Sequence, residues 1–98
     1  MKAYLTKWIP PRADFLQTIT DEEKALFQQH GDGQTELRKT GQIVAHGPVV
    51  DPAGPYGVAL WEVEDAADIA ALTAEDPIVK AGGGHYEPFP MMQLRTRD

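Results

Sequence analysis

Ninety-eight residues, 42% hydrophobic and 24% charged, suffice for one globular domain over residues 1–98 and are too few for two. A net charge of −6, with the nine lysines and arginines scattered, offers no basic stripe for phosphates and argues against nucleic acid and anionic membrane surfaces as partners. Without cysteine there are no disulfides, no thiolate chemistry and no cysteine-ligated zinc; without serine there is no serine nucleophile.

Lys2 to Ile9 reads as a strand, with Tyr4, Leu5, Trp8 and Ile9 giving it β-forming bulk, and Pro10-Pro11 ends it. No apolar run of the ~7–15 residues of a secretory signal follows, and no stretch approaches the ~20 residues that span a bilayer, so a cytoplasmic location is expected. Thr20 followed by Glu23 fits a capping box, and Asp21, Glu22 and Glu23 suit the positive end of a helix dipole. This spacing predicts a helix from Asp21 to about Lys39, capped by Gly41, with Leu26, His30, Gly33 and Leu37 on one face. Gly31 and Gly33 each cost a helix roughly 1 kcal/mol relative to alanine, so a break at His30 with Gly31 as its cap is the rival reading.

Gln42 to Val50 reads as a second strand and Tyr56 to Val63 as a third, joined in a hairpin by Asp51-Pro52-Ala53-Gly54-Pro55. Glu64 to Glu75 predicts a second helix with Asp65 as a candidate N-cap, ended by Asp76-Pro77. Ile78 to Gly84 reads as a linker, its three glycines as a flexible bend, and Tyr86 to Arg95 as a last strand whose two prolines suit an edge. The order βαββαβ implies an α+β, ferredoxin-like fold: a four-stranded antiparallel sheet with two helices on one face.

Alternation along the strands carries apolar residues on both faces: Leu5 and Ile9 against Tyr4 and Trp8; Ile43, Ala45 and Val49 against Val44, His46 and Val50; Val58 and Leu60 against Ala59, Trp61 and Val63. Two helices cover only one face. A homodimer packed sheet to sheet is the expected remedy, against the alternative of tails folded over the sheet.

His30, facing the sheet from the helix, is the leading acid–base candidate, against a histidine merely satisfied by a backbone carbonyl. Asp51 at the mouth of the hairpin is the second candidate, where an aspartate commonly caps its own turn. Together they could form a catalytic His–Asp pair; Tyr4, Trp8 and Pro48 are the candidate substrate-binding residues. His46, His85 and the others show no characteristic ligand spacing, so neither a metal nor another cofactor is expected.

The chain resembles the YciI-like (YCII-related) family of the dimeric α+β barrel superfamily. The resemblance rests on His30 in the first helix, Gly41 ending it, Gly47-Pro48-Val49-Val50-Asp51-Pro52-Ala53-Gly54, and Asp76-Pro77-Ile78-Val79-Lys80-Ala81-Gly82. It implies a ferredoxin-like dimer, a continuous first helix, and a His30–Asp51 acid–base pair in a cleft between helices and sheet. Gly31 and Gly33 beside the histidine and the proline-rich last strand depart from the family pattern. The expected function is a small enzyme of lyase or isomerase type acting on a small organic molecule; the alternative is a non-catalytic ligand-binding or accessory dimer.

Overall fold

A computed structural model describes residues 1–97. The elements are β1 (Lys2–Ile9), α1 (Phe15–Thr18), α2 (Asp21–Lys39), β2 (Ile43–Val49), β3 (Tyr56–Val63), α3 (Ile69–Ala74), α4 (Pro77–Lys80) and β4 (His85–Met91). The strands form one antiparallel sheet in the order β2-β3-β1-β4, the ferredoxin-like arrangement.

Helix α2 runs unbroken through Gly31 and Gly33 because both of its ends are firmly closed. Thr20 and Glu23 form the full capping box, and Arg12 grips the Glu23 carboxylate in two parallel bonds of 2.7 and 2.8 Å. The Arg12 bond and the Thr20 N–H hold the Glu23 carboxyl down to about 2. At the other end Gly41, with φ +90°, donates to Arg38 O while Gln42 donates to Leu37 O, which is a Schellman closure.

The second helical region differs from expectation. Helix α3 starts at Ile69, not Glu64, because Asp68 is the residue whose carboxylate accepts the Ala70 and Ala71 N–H groups. Asp65 instead pairs with the N-terminal ammonium at 3.2 Å. Ile78–Lys80, expected as the start of a linker, form with Pro77 a short turn of helix capped by Asp76 with the proline at its first position. The last strand stops at Met91, and α1 between Pro11 and Thr18 was not foreshadowed by any helical periodicity.

Gly83 and Gly84 form a close-packed crossing where a flexible bend was expected. A Cβ on Gly84 would lie 2.3 Å from Ile9 O and 3.0 Å from Trp8 Nε1; one on Gly83 would lie 2.8 Å from Ile78 Cγ1. Gly83 O in turn accepts from Trp8 Nε1 at 3.2 Å. Pro88 and Pro90 stand two residues apart on β4, so both missing N–H groups point to one side. With β1 on the other side, that is the open edge of the sheet.

The face toward the helices carries Tyr4, Thr6 and Trp8 of β1 and Gly57, Ala59, Trp61 and Val63 of β3. In β2 a bulge at Val44 shifts the register, so Ile43 shares this face with His46 and Pro48 rather than with Ala45. The core has two parts. One gathers Ile43, Ala59, Trp61, Val63 and Ile69, with Tyr4 packed against it, and Trp61 Nε1 donating to the buried Thr6 hydroxyl at 2.8 Å. The other gathers Trp8, Phe15 and Ile78 with Phe27 and Tyr86.

Among the described residues no helix covers the opposite face. Leu5 pairs with Leu60 on one side and with Phe89 on the other, and Phe89 is 45% exposed. The Lys7 ammonium lies over the Tyr56 ring at 4.9 Å and the Phe89 ring at 5.8 Å.

Gly33 is helical, and a Cβ added there meets nothing within 4 Å. Gly33→Ala is therefore expected to stabilise the fold by up to about 1 kcal/mol, read as a higher urea midpoint at unchanged slope. A fall in the midpoint would show that α2 is strained at that turn.

Candidate active site

His30 sits in the middle of α2 on its inward face and is 5% exposed. Its ring lies between aromatic neighbours: Trp8 at 4.9 Å, Phe27 stacked at 5.9 Å and Tyr86 at 6.2 Å between centroids. Its Nδ1 lies 2.5 Å from Asp76 Oδ2. That same oxygen accepts the Tyr86 hydroxyl at 2.7 Å, and Gln34 Nε2 donates to the Tyr86 oxygen at 3.3 Å. The other carboxylate oxygen accepts the Ile78 N–H at 3.1 Å, capping α4.

The electrostatics follow from these contacts. Burial pushes the Asp76 carboxyl up, but the hydrogen bonds from His30 and Tyr86, the His30 charge and the Ile78 N–H outweigh it and leave it below the ordinary value. Burial, then the neighbouring Asp76, push the Tyr86 phenol up, so it stays a donor. A carboxylate on Nδ1 fixes the imidazole with Nδ1–H donating, which leaves the Nε2 lone pair on the far side of the ring. A Cβ on Gly57 would stand 3.9 Å from that Nε2, in ordinary van der Waals contact, so Gly57 lies directly beside this nitrogen.

His30 and Gly57 belong to the wall of an open cavity of about 470 Å³ between α2, the β2–β3 hairpin and the end of β1. Trp8, Phe15 and Phe27 give it aromatic walls, and Gly31, His46 and Pro48 also line it. His46 reaches this wall only because of the Val44 bulge. Its Nε2 is buried and lacks a hydrogen-bond partner among the described residues, a situation that costs about 1–3 kcal/mol.

Of the residues singled out in the sequence, His30, Trp8 and Pro48 lie on this cavity and Tyr4 does not; it packs in the Trp61 cluster. The anticipated contact of His30 with Asp51 is replaced by one with Asp76. Asp51 is exposed, and its carboxylate caps its own turn by accepting the Ala53 N–H at 2.9 Å. Asp76 was visible in the sequence as a helix stop before Pro77 and as the first residue of a stretch that carries the family resemblance, with no role at the site read into it. Tyr86 carried no signal beyond being a strand aromatic; it reaches the site because the β1–β4 register sets it opposite Trp8. Among the described residues no three His, Cys, Asp or Glu side chains come close enough to share a metal ion.

The YCII-related domain family matches residues 5–95. The chain belongs to that family. Among solved structures, this YCII domain is similar to 5-chloro-2-hydroxyhydroquinone dehydrochlorinase (TftG) from Burkholderia phenoliruptrix, in complex with 2,5-dihydroxybenzoquinone. Identity is 16% and the TM-score 0.59, over 88% of this chain and 90% of that one. It is also similar to SnoaB, a cofactor-independent oxygenase from Streptomyces nogalater, at 13% identity and a TM-score of 0.50, over 97% of this chain and 94% of that one. Both likenesses are of fold. A search of curated protein sequences finds no match. No helix among the described residues is long and apolar enough to cross a membrane.

Because the folded state lowers the Asp76 pKa, its ionised form stabilises the native protein above the ordinary carboxyl value of 3.8, and that contribution fades as the pH falls through the folded value. Asp76→Asn should accordingly lose stability near neutral pH, by about 3 kcal/mol. The gap from wild type should hold down to about pH 4 and close only as the pH falls below that in urea titrations. A gap independent of pH would mean that Asp76 acts only as a helix cap.

Proposed function

We propose that this YCII-family protein is a small enzyme that transfers a proton on a small organic molecule, as in an elimination or an isomerisation, with His30 as the acid–base group. The observation that carries this reading is a buried imidazole, bonded through Nδ1 to an ionised carboxylate, beside an open aromatic-walled cavity. In the forward step Nε2 takes a proton from carbon or oxygen of the ligand; the imidazolium is stabilised by Asp76 and then returns the proton to a leaving group or a neighbouring carbon. Asp76 orients and charge-stabilises the ring while Tyr86 and Gln34 hold Asp76. Trp8 and Pro48 are the ligand-contacting residues in this reading, and the step as written uses protein side chains alone. The dehydrochlorinase and oxygenase folds support a small-molecule reaction without naming the substrate.

The working unit in this reading is a homodimer joined through the open sheet face, with Leu5, Leu60 and Phe89 at its centre. The apolar character of that face supports it. Sedimentation equilibrium should give twice the chain mass, and Leu60→Glu should give single chains that keep the His30–Asp76 site. Single wild-type chains at high concentration would overturn the dimer.

The catalytic proposal is tested by following deuterium uptake from heavy water into a panel of hydroxylated and halogenated quinols and ketones by NMR. Wild-type protein should catalyse exchange on some member, and His30→Gln should slow it by about 10²-fold or more. A fully active His30→Gln protein would end the proposal.

A further inference from the structure

We propose that the ligand of the cavity is a fused two-ring aromatic molecule, its inner ring lying beside His30 and its outer ring held at the mouth between Leu16 and Val50. The inference deepens the acid–base reading and rests on the same cavity being the ligand site. Size is the first argument. A cavity of about 150 Å³ takes one benzene, whereas this one has about 470 Å³. A single ring against Trp8 would leave most of it to water.

The mouth is the second argument. Leu16 of α1 and Val50, just past the end of β2, both line the cavity and are 47% and 87% exposed. Their two elements meet there, since a Cβ on Gly54 in the hairpin turn would stand 3.8 Å from Ala13 Cα and Cβ. Neither residue is needed for the core. Phe15 anchors α1 by its own burial, and Val50 lies beyond the last ladder pair, Val49 with Tyr56. An exposed leucine and an exposed valine beside one cavity contribute only when something apolar covers them. The charged side chains that α2 brings to the cavity are already engaged: Lys24 pairs with Asp21 at 3.8 Å, and Asp32 accepts from Gln28 at 3.0 Å. Affinity then has to come from apolar area, and a second fused ring supplies it without adding rotatable bonds.

Phenol and 2-naphthol serve as probes, titrated into the full chain by NMR. The variant carries Leu16→Gln and Val50→Asn together, which alters only exposed side chains and should fold as wild type does. Wild type should bind 2-naphthol, and the methyl signals of Leu16 and Val50 should shift on its addition while staying in place with phenol. The double variant should hold 2-naphthol about tenfold more weakly and phenol within about twofold of wild type. No binding of 2-naphthol to wild type, methyl signals that stay in place, or equal losses for the two probes would each overturn the proposal. So would an unchanged affinity of the double variant for 2-naphthol. The deuterium-exchange assay on His30→Gln keeps the two readings apart. An active His30→Gln protein refutes the acid–base role, whereas the ratio of the 2-naphthol and phenol affinities tests the mouth alone.

Discussion

A carboxylate taken out of water must find enough donors to replace the solvent it has left, or give up its charge. Asp76 is 8% exposed and finds three: the His30 ring, the Tyr86 hydroxyl and the Ile78 N–H. Each donor comes from a different element. Through one side chain, α2, α4 and β4 are tied at a single point above the sheet, and the orientation of the histidine follows from that knot. The contacts that hold the fold together are therefore the same ones the proposed acid–base role depends on. Gln34, a turn beyond His30 on α2, closes the arrangement by donating to Tyr86, so no member of the cluster rotates alone.

Much of this fold was legible in the sequence because it depends on local choices. The capping pair Thr20 and Glu23, the closing Gly41 and the turn-rich stretch from Asp51 to Pro55 each act within a few residues, and they mark α2 and the hairpin correctly. Alternation groups Tyr4 with Trp8 in β1 and Trp61 with Val63 in β3 as expected, while their sharing the face toward the helices is set by the β1–β3 register. The inward direction of His30 followed from helical spacing. What local pattern does not carry is long-range pairing. His30 and Asp76 are 46 positions apart, and the proximity of two such residues is set by how α4 packs on α2. Asp51 was the more conspicuous carboxylate in the sequence, yet a hairpin aspartate has its own turn to satisfy.

The Val44 bulge was hidden for a related reason. A bulge of this kind needs no glycine and leaves the composition of the strand unchanged, so the apparent alternation put Ile43 and Ala45 together when they lie on opposite faces. The three-glycine run misled in the other direction. It reads as freedom, whereas Gly83 and Gly84 are glycines because Ile78, Ile9 and Trp8 leave no room for a Cβ. Trp8 depends on that close approach, since its indole N–H ends on Gly83 O and its ring backs the imidazole of His30.

Locally unfavourable choices gather around the cavity and thin out away from it. Gly31 weakens α2 where it borders the cavity, and Gly57 weakens β3 beside His30 Nε2. The β2 ladder is interrupted at Val44, and the histidine this turns inward has an unpaired nitrogen. At the other end of the sheet, Trp61 bonds Thr6, and Ile43, Val63 and Ile69 fill the space between sheet and helices. A sequence shaped only for stability would have no reason to place its concessions on one wall. Proteins break local rules where a ligand must be admitted and held, and compensate elsewhere. Here the compensation is the Trp61 cluster and the fully closed ends of α2, which hold the frame while one wall stays open.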